Sequence, residues 1–268
     1  MISTSWPMRT QGDPSNSAIV FLHGFMGFGQ DWEKIAGPLS NEFYCLLPDL
    51  PGHGKNPIDT EPGYTAWAAD LRRTLELRGI RRVILVGYSM GGRLALYFSL
   101  KYPEMVKGLV MESANPGITD SKDRQARATW DDKNADRIQT EGLASFLLDW
   151  YEMPLFASLK AIPGLKNGLR HQRAKQDPGN MARVIRSLSP GRQTDLWEQL
   201  PDLSPSTLLV AGLLDEKYTI ICQQMAKIIP DNNLALLPGC GHNAHLEYPN
   251  HFVEILQNWL SSGIFPAF

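Results

Sequence analysis

The hexapeptide GYSMGG at 87–92 constrains the fold more than any other part of this chain. It follows the apolar run RVILV and precedes a helical pattern at 93–101. A G-x-S-x-G pattern between a buried strand and a helix is typical of a nucleophile elbow, a sharp turn that exposes the serine hydroxyl. Amides at the start of the following helix favour developing negative charge. The hexapeptide therefore predicts a strand–turn–helix unit with Ser89 exposed at its turn.

Short apolar runs alternate with amphipathic segments along most of the chain. Strands are predicted at 18–23, 43–48, 82–86, 106–111, 207–211 and 234–237, and helices at 32–39, 64–79, 93–101, 217–228 and 249–261. Such alternation indicates an α/β protein with a doubly wound, mostly parallel sheet that is covered by helices on both faces. Residues 120–200 interrupt the alternation with charged and aromatic helical patterns. We expect one structural domain, with a core from 1–119 and 201–268 and a helical lid insertion at 120–200.

Charge and cysteine content exclude several classes of protein. The 268 residues carry 26 basic and 28 acidic side chains, so nothing favours a nucleic-acid or anionic membrane partner. The three cysteines are widely spaced and suggest neither a disulfide framework nor a zinc knuckle. We expect no signal peptide and no membrane helix, and hence a cytoplasmic protein that is a monomer or a small homo-oligomer.

The near-neutral total hides an uneven distribution of charge. Between Lys160 and Arg192 the sequence has eight basic residues and one acid, Asp177, which gives a local charge of +7. Most of these side chains are expected on a solvated helix face. Because the segment belongs to the predicted lid, it also suggests an anion-receiving surface over the crevice. A small polyanionic substrate is the partner that this charge favours.

A serine hydroxyl becomes reactive when a histidine accepts its proton and a carboxylate orients that histidine. Asp215 and His242 follow the last two predicted strands, in the chain order that an elbow serine requires. Both positions lie past the carboxyl ends of strands, where open parallel sheets bind ligands. Glu216 and His245 are the alternatives, and we predict a triad of Ser89, Asp215 and His242.

The glycine-rich segment HGFMG at 23–27 follows the first predicted strand. The amides of Phe25 and Met90 are therefore candidates for an oxyanion hole. His23 is expected to hydrogen-bond a turn, and His53 is a candidate surface residue. The spacing of histidines and carboxylates suggests no metal site, and no cofactor is expected.

Together these motifs resemble the α/β-hydrolase superfamily over essentially the whole chain. The superfamily motifs are HGF at 23–25, DLPGHG at 49–54, GYSMGG at 87–92, Asp215 and GCGHNAHLEYP at 239–249. A narrower resemblance is carried by HGFMGFGQDW at 23–32, GYSMGGRLALYF at 87–98, ESANPGI at 112–118, DWYEMPLFASL at 149–159 and GHNAHLEYP at 241–249. These segments are similar to the 2-succinyl-6-hydroxy-2,4-cyclohexadiene-1-carboxylate synthase family of menaquinone and phylloquinone biosynthesis.

The resemblance implies a cofactor-independent lyase on the α/β-hydrolase fold. Members of the family eliminate pyruvate from 2-succinyl-5-enolpyruvyl-6-hydroxy-3-cyclohexene-1-carboxylate, and the triad then serves as a base that removes a carbon-bound proton. The alternative is a serine hydrolase that acts on an ester or a carbon–carbon bond of a small acidic substrate. A non-catalytic receptor on the same fold is a third hypothesis.

Three arginines match family positions that would hold the carboxylates of this substrate. Arg93 lies one helical turn past Ser89, and Arg127 follows the ESANPGI segment. Arg173 matches an arginine of the family's lid, and Arg124 and Arg170 are the alternatives in register. A guanidinium suits this role because its planar fork can donate two hydrogen bonds to one carboxylate.

Three aromatic side chains are also expected to line the pocket, namely Trp150, Tyr88 and Phe156. Of the three, Trp150 has the strongest support because it lies in DWYEMPLFASL.

Overall fold

The computed structural model describes residues 5–262 and contains a seven-stranded sheet. The strands are β1 Met8–Gln11, β2 Ala18–Leu22, β3 Tyr44–Pro48, β4 Val83–Tyr88, β5 Val106–Glu112, β6 Ser206–Gly212 and β7 Asn232–Leu237. Their spatial order is β1-β3-β2-β4-β5-β6-β7, and every neighbouring pair is parallel except β1 with β3. The predicted fold class, a mostly parallel α/β sheet, is confirmed. The sequence did not predict β1, which is short, largely polar and at the sheet edge.

Helices cover both faces of the sheet. They are α1 Glu33–Leu39, α2 Tyr64–Leu77, α3 Met90–Lys101, α4 Ser121–Trp150, α5 Leu165–Arg173, α6 Pro178–Ser187, α7 Glu216–Ala226, α8 Ala244–Glu247 and α9 Pro249–Leu260. None of the helices within residues 5–262 is long and apolar enough to cross a bilayer.

Alternate residues of each central strand enter two different cores. In β2, Val20 and Leu22 pack in the core that includes α2, α3 and α7, whereas Ile19 and Phe21 pack in the core that includes α1 and α9. This division follows from the two-residue period of a strand. A strand buried on both faces is apolar at successive positions, and for this reason β2 was predictable from its sequence.

Residues 120–200, which we call the lid segment, lie between β5 and β6 in the chain and contain α4, α5 and α6. The long α4 is interrupted at Gly142, whose φ of 78° is outside the helical region. Ion pairs join α4 to the later part of the segment, since Arg186 pairs with Asp136 and Arg192 pairs with Asp132. Several charged side chains of the lid segment are therefore paired with one another.

Candidate active site

The turn between β4 and α3 places Ser89 in a strained backbone conformation. Its φ of 50° and ψ of −109° are unusual for a residue with a side chain. The turn also brings backbones into close approach, because a Cβ on Gly91 would lie 2.1 Å from the Leu22 carbonyl oxygen. A Cβ on Gly87 would lie 2.5 Å from the Gly91 carbonyl oxygen. The glycines are thus required on steric grounds, as expected for a nucleophile elbow.

Ser89, His242 and Asp215 form one hydrogen-bonded chain. His242 Nδ1 lies 2.6 Å from Asp215 Oδ2, and His242 Nε2 lies 3.2 Å from Ser89 Oγ. With Nδ1 donating to the carboxylate, Nε2 is left to accept from the hydroxyl. Asp215 also accepts from the Tyr218 amide in the first turn of α7. The structure therefore assembles the geometry that serine-based proton transfer requires.

The two alternative residues have other surroundings. The Nδ1 atom of His245 lies 2.9 Å from Glu112 Oε1, and its ring stacks on Trp32 with 4.1 Å between ring centroids. Glu216 is exposed at the start of α7. Neither residue takes part in the hydrogen-bonded chain to Ser89.

The loop that carries His242 is fixed by a buried carboxylate. Glu247 accepts from the Gly241 amide at 2.9 Å and from the Asn243 amide at 3.1 Å. These two residues flank His242, so one side chain sets the backbone on both sides of the histidine. Asn243 in turn donates to the Tyr88 hydroxyl at 2.7 Å.

The two candidate oxyanion amides lie beside the serine. Met90 is the first residue of α3, so its amide has no intrahelical acceptor. The Phe25 amide has no acceptor among residues 5–262. Both residues line the same cavity as Ser89. Two free amides at this position could stabilise an oxyanion.

A cavity of about 520 Å³ opens above the triad. All eleven predicted site residues line it: Phe25, Tyr88, Ser89, Met90, Arg93, Arg127, Trp150, Phe156, Arg173, Asp215 and His242. Its walls come from the strand ends and from the lid segment, since Trp130, Trp150 and Phe156 are lid residues. Residues that are far apart in the chain are therefore brought to one site.

Arg93 is buried against neutral groups. Its Nη1 donates to the Leu188 carbonyl at 3.0 Å, to Gln193 Oε1 at 3.1 Å and to the Tyr64 hydroxyl. Burial raises the pKa of Tyr64 above its ordinary value, although the adjacent Arg93 opposes the shift, so the phenol stays neutral. No carboxylate within residues 5–262 pairs with this guanidinium. A substrate carboxylate would supply the missing countercharge.

Arg127 is held by one nitrogen only. Its Nε donates to Asp131 Oδ2 at 2.9 Å, and its guanidinium carbon lies 5.0 Å from the Trp130 ring centroid. The Asp131 carboxylate is fully buried and also accepts from the Ser189 hydroxyl. The two terminal nitrogens of Arg127 have no acceptor in the described part of the chain. They are available to bind one carboxylate.

Arg173 has a carboxylate partner within the protein. Its two terminal nitrogens donate to the two oxygens of Asp31, and both side chains are buried. Burial alone would raise the pKa of the Asp31 carboxyl, but the adjacent Arg173 guanidinium, together with the Phe28 amide and His23, lowers that pKa overall. Arg173 therefore lines the cavity as half of an ion pair, unlike Arg93 and Arg127. The alternative arginines, Arg124 and Arg170, do not line the cavity.

Aromatic rings form part of the cavity wall. The Trp150 ring centroid lies 5.6 Å from that of Phe25 and 5.9 Å from that of Trp130. The Phe156 ring meets His242 edge-on at 6.2 Å. Burial raises the pKa of Tyr88 well above its ordinary value, so its hydroxyl stays protonated. An apolar wall beside the charged and polar groups of the cavity suits a ring-shaped substrate.

One expectation for the basic run from Lys160 to Arg192 agrees with the structure and one does not. Most of its members lie outside the crevice, as expected for a solvated helix face, but the run as a whole is not an anion-receiving surface, because only Arg173 among its eight members lines the cavity. Four of the others pair with acids of α4 or with Glu152, which satisfies their charge: Lys160, Lys166, Arg186 and Arg192. His53 is buried and not at the surface, since its Nε2 accepts from the Met26 amide.

Several side chains that hold the site were not predicted: Asp31, Tyr64, Asp131, Gln193 and Lys217. Asp131 lies four residues after Arg127 on one helix, and this spacing could have indicated the ion pair. Tyr64 and Gln193 are distant from Arg93 in the chain, so no local pattern points to them. Across residues 5–262, no group of three or more histidines, cysteines and acids is arranged to hold a metal ion.

Comparison with known proteins gives one consistent result. Residues 17–249 match the family described by the alpha/beta hydrolase fold. The 2-succinyl-6-hydroxy-2,4-cyclohexadiene-1-carboxylate synthase of Serratia proteamaculans (strain 568) is 33% identical over 251 residues, which cover 93% of this chain and 95% of the relative.

Solved structures agree with the sequence relatives. MenH from S. aureus superposes with a TM-score of 0.90 at 30% identity, covering 96% of this chain and 98% of that protein. A malate-bound thermophilic esterase from Thermogutta terrifontis has a TM-score of 0.83 at 24% identity, covering 95% of this chain and 92% of that protein. At that identity the esterase shares the fold alone.

Proposed function

Because this chain belongs to the α/β-hydrolase family, and within it to the 2-succinyl-6-hydroxy-2,4-cyclohexadiene-1-carboxylate synthases, we propose that it is a pyruvate-eliminating lyase. Its substrate is 2-succinyl-5-enolpyruvyl-6-hydroxy-3-cyclohexene-1-carboxylate, an intermediate of menaquinone and phylloquinone biosynthesis. The observation that carries the proposal is the cavity, in which the Ser89–His242–Asp215 chain faces Arg93 and Arg127.

The positions of the double bonds define the step. The substrate has one ring double bond, between C3 and C4, and the product has two, which begin at C2 and C4. Removal of the C2 proton forms the C2–C3 double bond and moves the original pair of electrons to C4–C5. The C5–oxygen bond breaks, and the enolpyruvate that leaves becomes pyruvate on taking up a proton. The elimination is redox-neutral, so it needs proton transfer and charge stabilisation alone.

The triad supplies the base for this step. Ser89 Oγ gives its proton to His242 Nε2 as it takes the C2 proton, and Asp215 stabilises the imidazolium that forms. No acyl-enzyme is needed. The C2 proton is acidic because it lies next to the succinyl carbonyl, whose oxygen becomes an enolate. The amides of Phe25 and Met90 stabilise that oxygen.

The arginines bind the carboxylates that the substrate carries. Arg93 lacks a carboxylate partner and Arg127 has two unoccupied nitrogens, so each can take one carboxylate. Arg173 already pairs with Asp31, which balances its charge, so it lines the site and Arg93 and Arg127 take the carboxylates first. Trp150, Tyr88 and Phe156 pack against the ring and the succinyl chain. The cytoplasmic location and the oligomeric state stay predictions.

Incubation of the protein with the enolpyruvyl substrate tests this function. We expect stoichiometric pyruvate, measured with a coupled lactate dehydrogenase assay, and loss of at least 99% of kcat in Ser89→Ala because the base is removed. No pyruvate from the wild type would exclude the lyase. Steady turnover of an activated ester without pyruvate release would favour the serine hydrolase instead.

A further inference from the structure

The loop that carries the Phe25 amide is held in part by the chain before the lid, since the Gly29 amide donates to Asp49 Oδ1 at 3.0 Å. We call residues 24–31 the oxyanion loop. Inside it, the Gly27 amide donates to the Gly24 carbonyl at 3.0 Å, and Met26 has a φ of 61°. The Met26 amide donates to His53 Nε2 at 3.1 Å. A residue with a side chain at positive φ costs free energy and persists only when its surroundings hold it in place.

A lid residue supplies part of that constraint. Gln176 lies in the turn between α5 and α6, and its side chain is almost fully buried, with 5% exposed. Its Nε2 donates to the Met26 carbonyl at 3.1 Å and to the Gly27 carbonyl at 2.9 Å. Its Oε1 accepts from the Gly54 amide at 2.8 Å. The side-chain amide of Gln176 thus joins the lid segment to the peptide groups that follow Phe25.

A second contact joins the same part of the lid to the other end of the loop. Arg173, three residues before Gln176, pairs with Asp31. Asp31 Oδ2 in turn accepts from the Phe28 amide at 3.0 Å. The lid therefore contacts the oxyanion loop on both sides of its positive-φ turn, through largely buried side chains.

We infer that Gln176 is a positioning residue that makes the oxyanion hole depend on a seated lid. The inference rests on the proposed function, since it concerns the amide that stabilises the enolate. Without the two donors of Gln176, the Met26 and Gly27 carbonyls lose their partners in a buried place, and the peptide planes turn to find others. The Phe25 amide lies two peptide units before the Met26 carbonyl, in the same short turn, and it moves with them. The substrate carboxylates are held elsewhere, so binding is spared.

Two substitutions test the inference. Gln176→Ala removes the side chain, and Gln176→Glu keeps its size but places a carboxylate against two carbonyl oxygens. We expect kcat for pyruvate release to fall at least tenfold in both variants, with KM changed less than threefold, since loss of a whole oxyanion donor costs about 10²–10³ in kcat. Phosphonylation of Ser89 by a fluorophosphonate should slow at least tenfold too, because that reaction also develops an oxyanion.

Asn180→Ala is the matched control. Asn180 lies on α6 and accepts from the Ile58 amide at 3.3 Å, so its loss also breaks a lid–core hydrogen bond but leaves the oxyanion loop intact. We expect kcat and the phosphonylation rate of this variant to stay within twofold of the wild type. Thermal unfolding of all variants verifies that each is folded at the assay temperature.

The outcomes separate this inference from the proposed function. Unchanged kcat and phosphonylation in the Gln176 variants would overturn it, and so would equal losses in Asn180→Ala, which would indicate lid seating alone. If the wild type releases no pyruvate, the lyase proposal fails, and the phosphonylation rates still decide the role of Gln176. A wild type that reacts with neither reagent would contradict both proposals.

Discussion

The arginines around the cavity differ in which of their nitrogens are occupied, and this difference decides what each can bind. Arg127 and Arg137 lie on the same helix, and each pairs with an acid four residues later. Arg127 pairs through Nε alone, with a carboxylate that is fully buried and cannot reorient. Arg137 donates hydrogen bonds from Nε and one terminal nitrogen to Glu141 and Asp149 at the surface. A free guanidinium fork beside a fixed anchor is suited to ligand binding.

We predict that Arg127→Lys raises KM for the enolpyruvyl substrate at least tenfold and lowers kcat less than fivefold. A lysine has one ammonium group and cannot bond Asp131 and hold a carboxylate with a planar fork at the same time. Loss of such a charge-assisted pair costs about 1.5–3 kcal/mol, which is tenfold or more in binding. Steady-state pyruvate release measures both constants. Arg137→Lys is the control and should leave them unchanged, and an equal effect of both substitutions would contradict the prediction.

Close backbone packing holds the strand–turn–helix elbow together and keeps the backbone of Ser89 in a strained conformation. The absence of a side chain at Gly91 permits its close approach to the carbonyl of Leu22, and Ser89 is the one residue of 87–92 with a positive φ. Strain of this kind costs about 1–3 kcal/mol and is common at functional positions. The strained backbone of the elbow therefore lowers the stability of the protein, and it exposes the Ser89 hydroxyl.

We predict that Ser89→Gly is more stable than Ser89→Ala by about 1 kcal/mol, although both lose activity. Glycine relieves the strain at φ 50°, and its larger unfolded-state entropy offsets only part of that gain. Urea unfolding of the two variants gives the difference. The same pair at Ser145, an exposed position in α4, should show the opposite order, because glycine is a poorer helix former than alanine by about 1 kcal/mol. Equal stability of the Ser89 pair would show that the turn is not strained.

For the whole molecule, two buried histidines connect the loops behind the site. His23 Nε2 accepts from the Leu50 amide at 3.0 Å, and His53 Nε2 accepts from the Met26 amide. Each ring needs an unprotonated nitrogen for this bond. Burial lowers the pKa of His23 to about 4, and burial together with the adjacent His23 lowers the pKa of His53 well below its ordinary value.

These shifts make global stability depend on pH below neutrality. Above about pH 6.5 both histidines are neutral in the folded and unfolded chain and contribute no pH dependence. Below pH 6.5 the two histidines bind protons in the unfolded chain but not in the folded protein, so the free energy of unfolding falls. For His23 this fall continues to about pH 4, where the folded histidine also binds a proton. The shift of His23 alone corresponds to roughly 3 kcal/mol over this window.

Urea unfolding at pH 7, 5.5 and 4.5 checks the expected slope. The free energy of unfolding should fall over this range by at least 2 kcal/mol in the wild type. It should fall by less in His23→Gln, because glutamine at position 23 does not titrate. His171 is exposed on α5, so His171→Gln should keep the wild-type slope. A free energy that is constant from pH 7 to 4.5 would contradict the prediction.

Local sequence was sufficient where a residue's role depends on its immediate neighbours. The apolar strands, the elbow and the two strand ends that carry Asp215 and His242 were all predictable, because buried parallel strands and glycine turns have distinct patterns. The choice of Asp215 over Glu216 also followed from position at the strand end. Strand β1 escaped prediction since its polar residues lie at an exposed edge.

Local patterns were enough to predict the α/β fold class, the family and the order of the reacting groups along the chain. Which charges face the cavity depends on contacts between segments that are distant in the sequence. The sequence suggested that the basic run of the lid binds an anion, but ion pairs with α4 and Glu152 neutralise much of its charge. Arg173 pairs with Asp31, which lies 142 residues earlier in the chain. Pairing between distant residues leaves no local pattern, because each partner is selected by its place in the fold. For the same reason the link between Gln176 and the oxyanion loop became visible only in three dimensions.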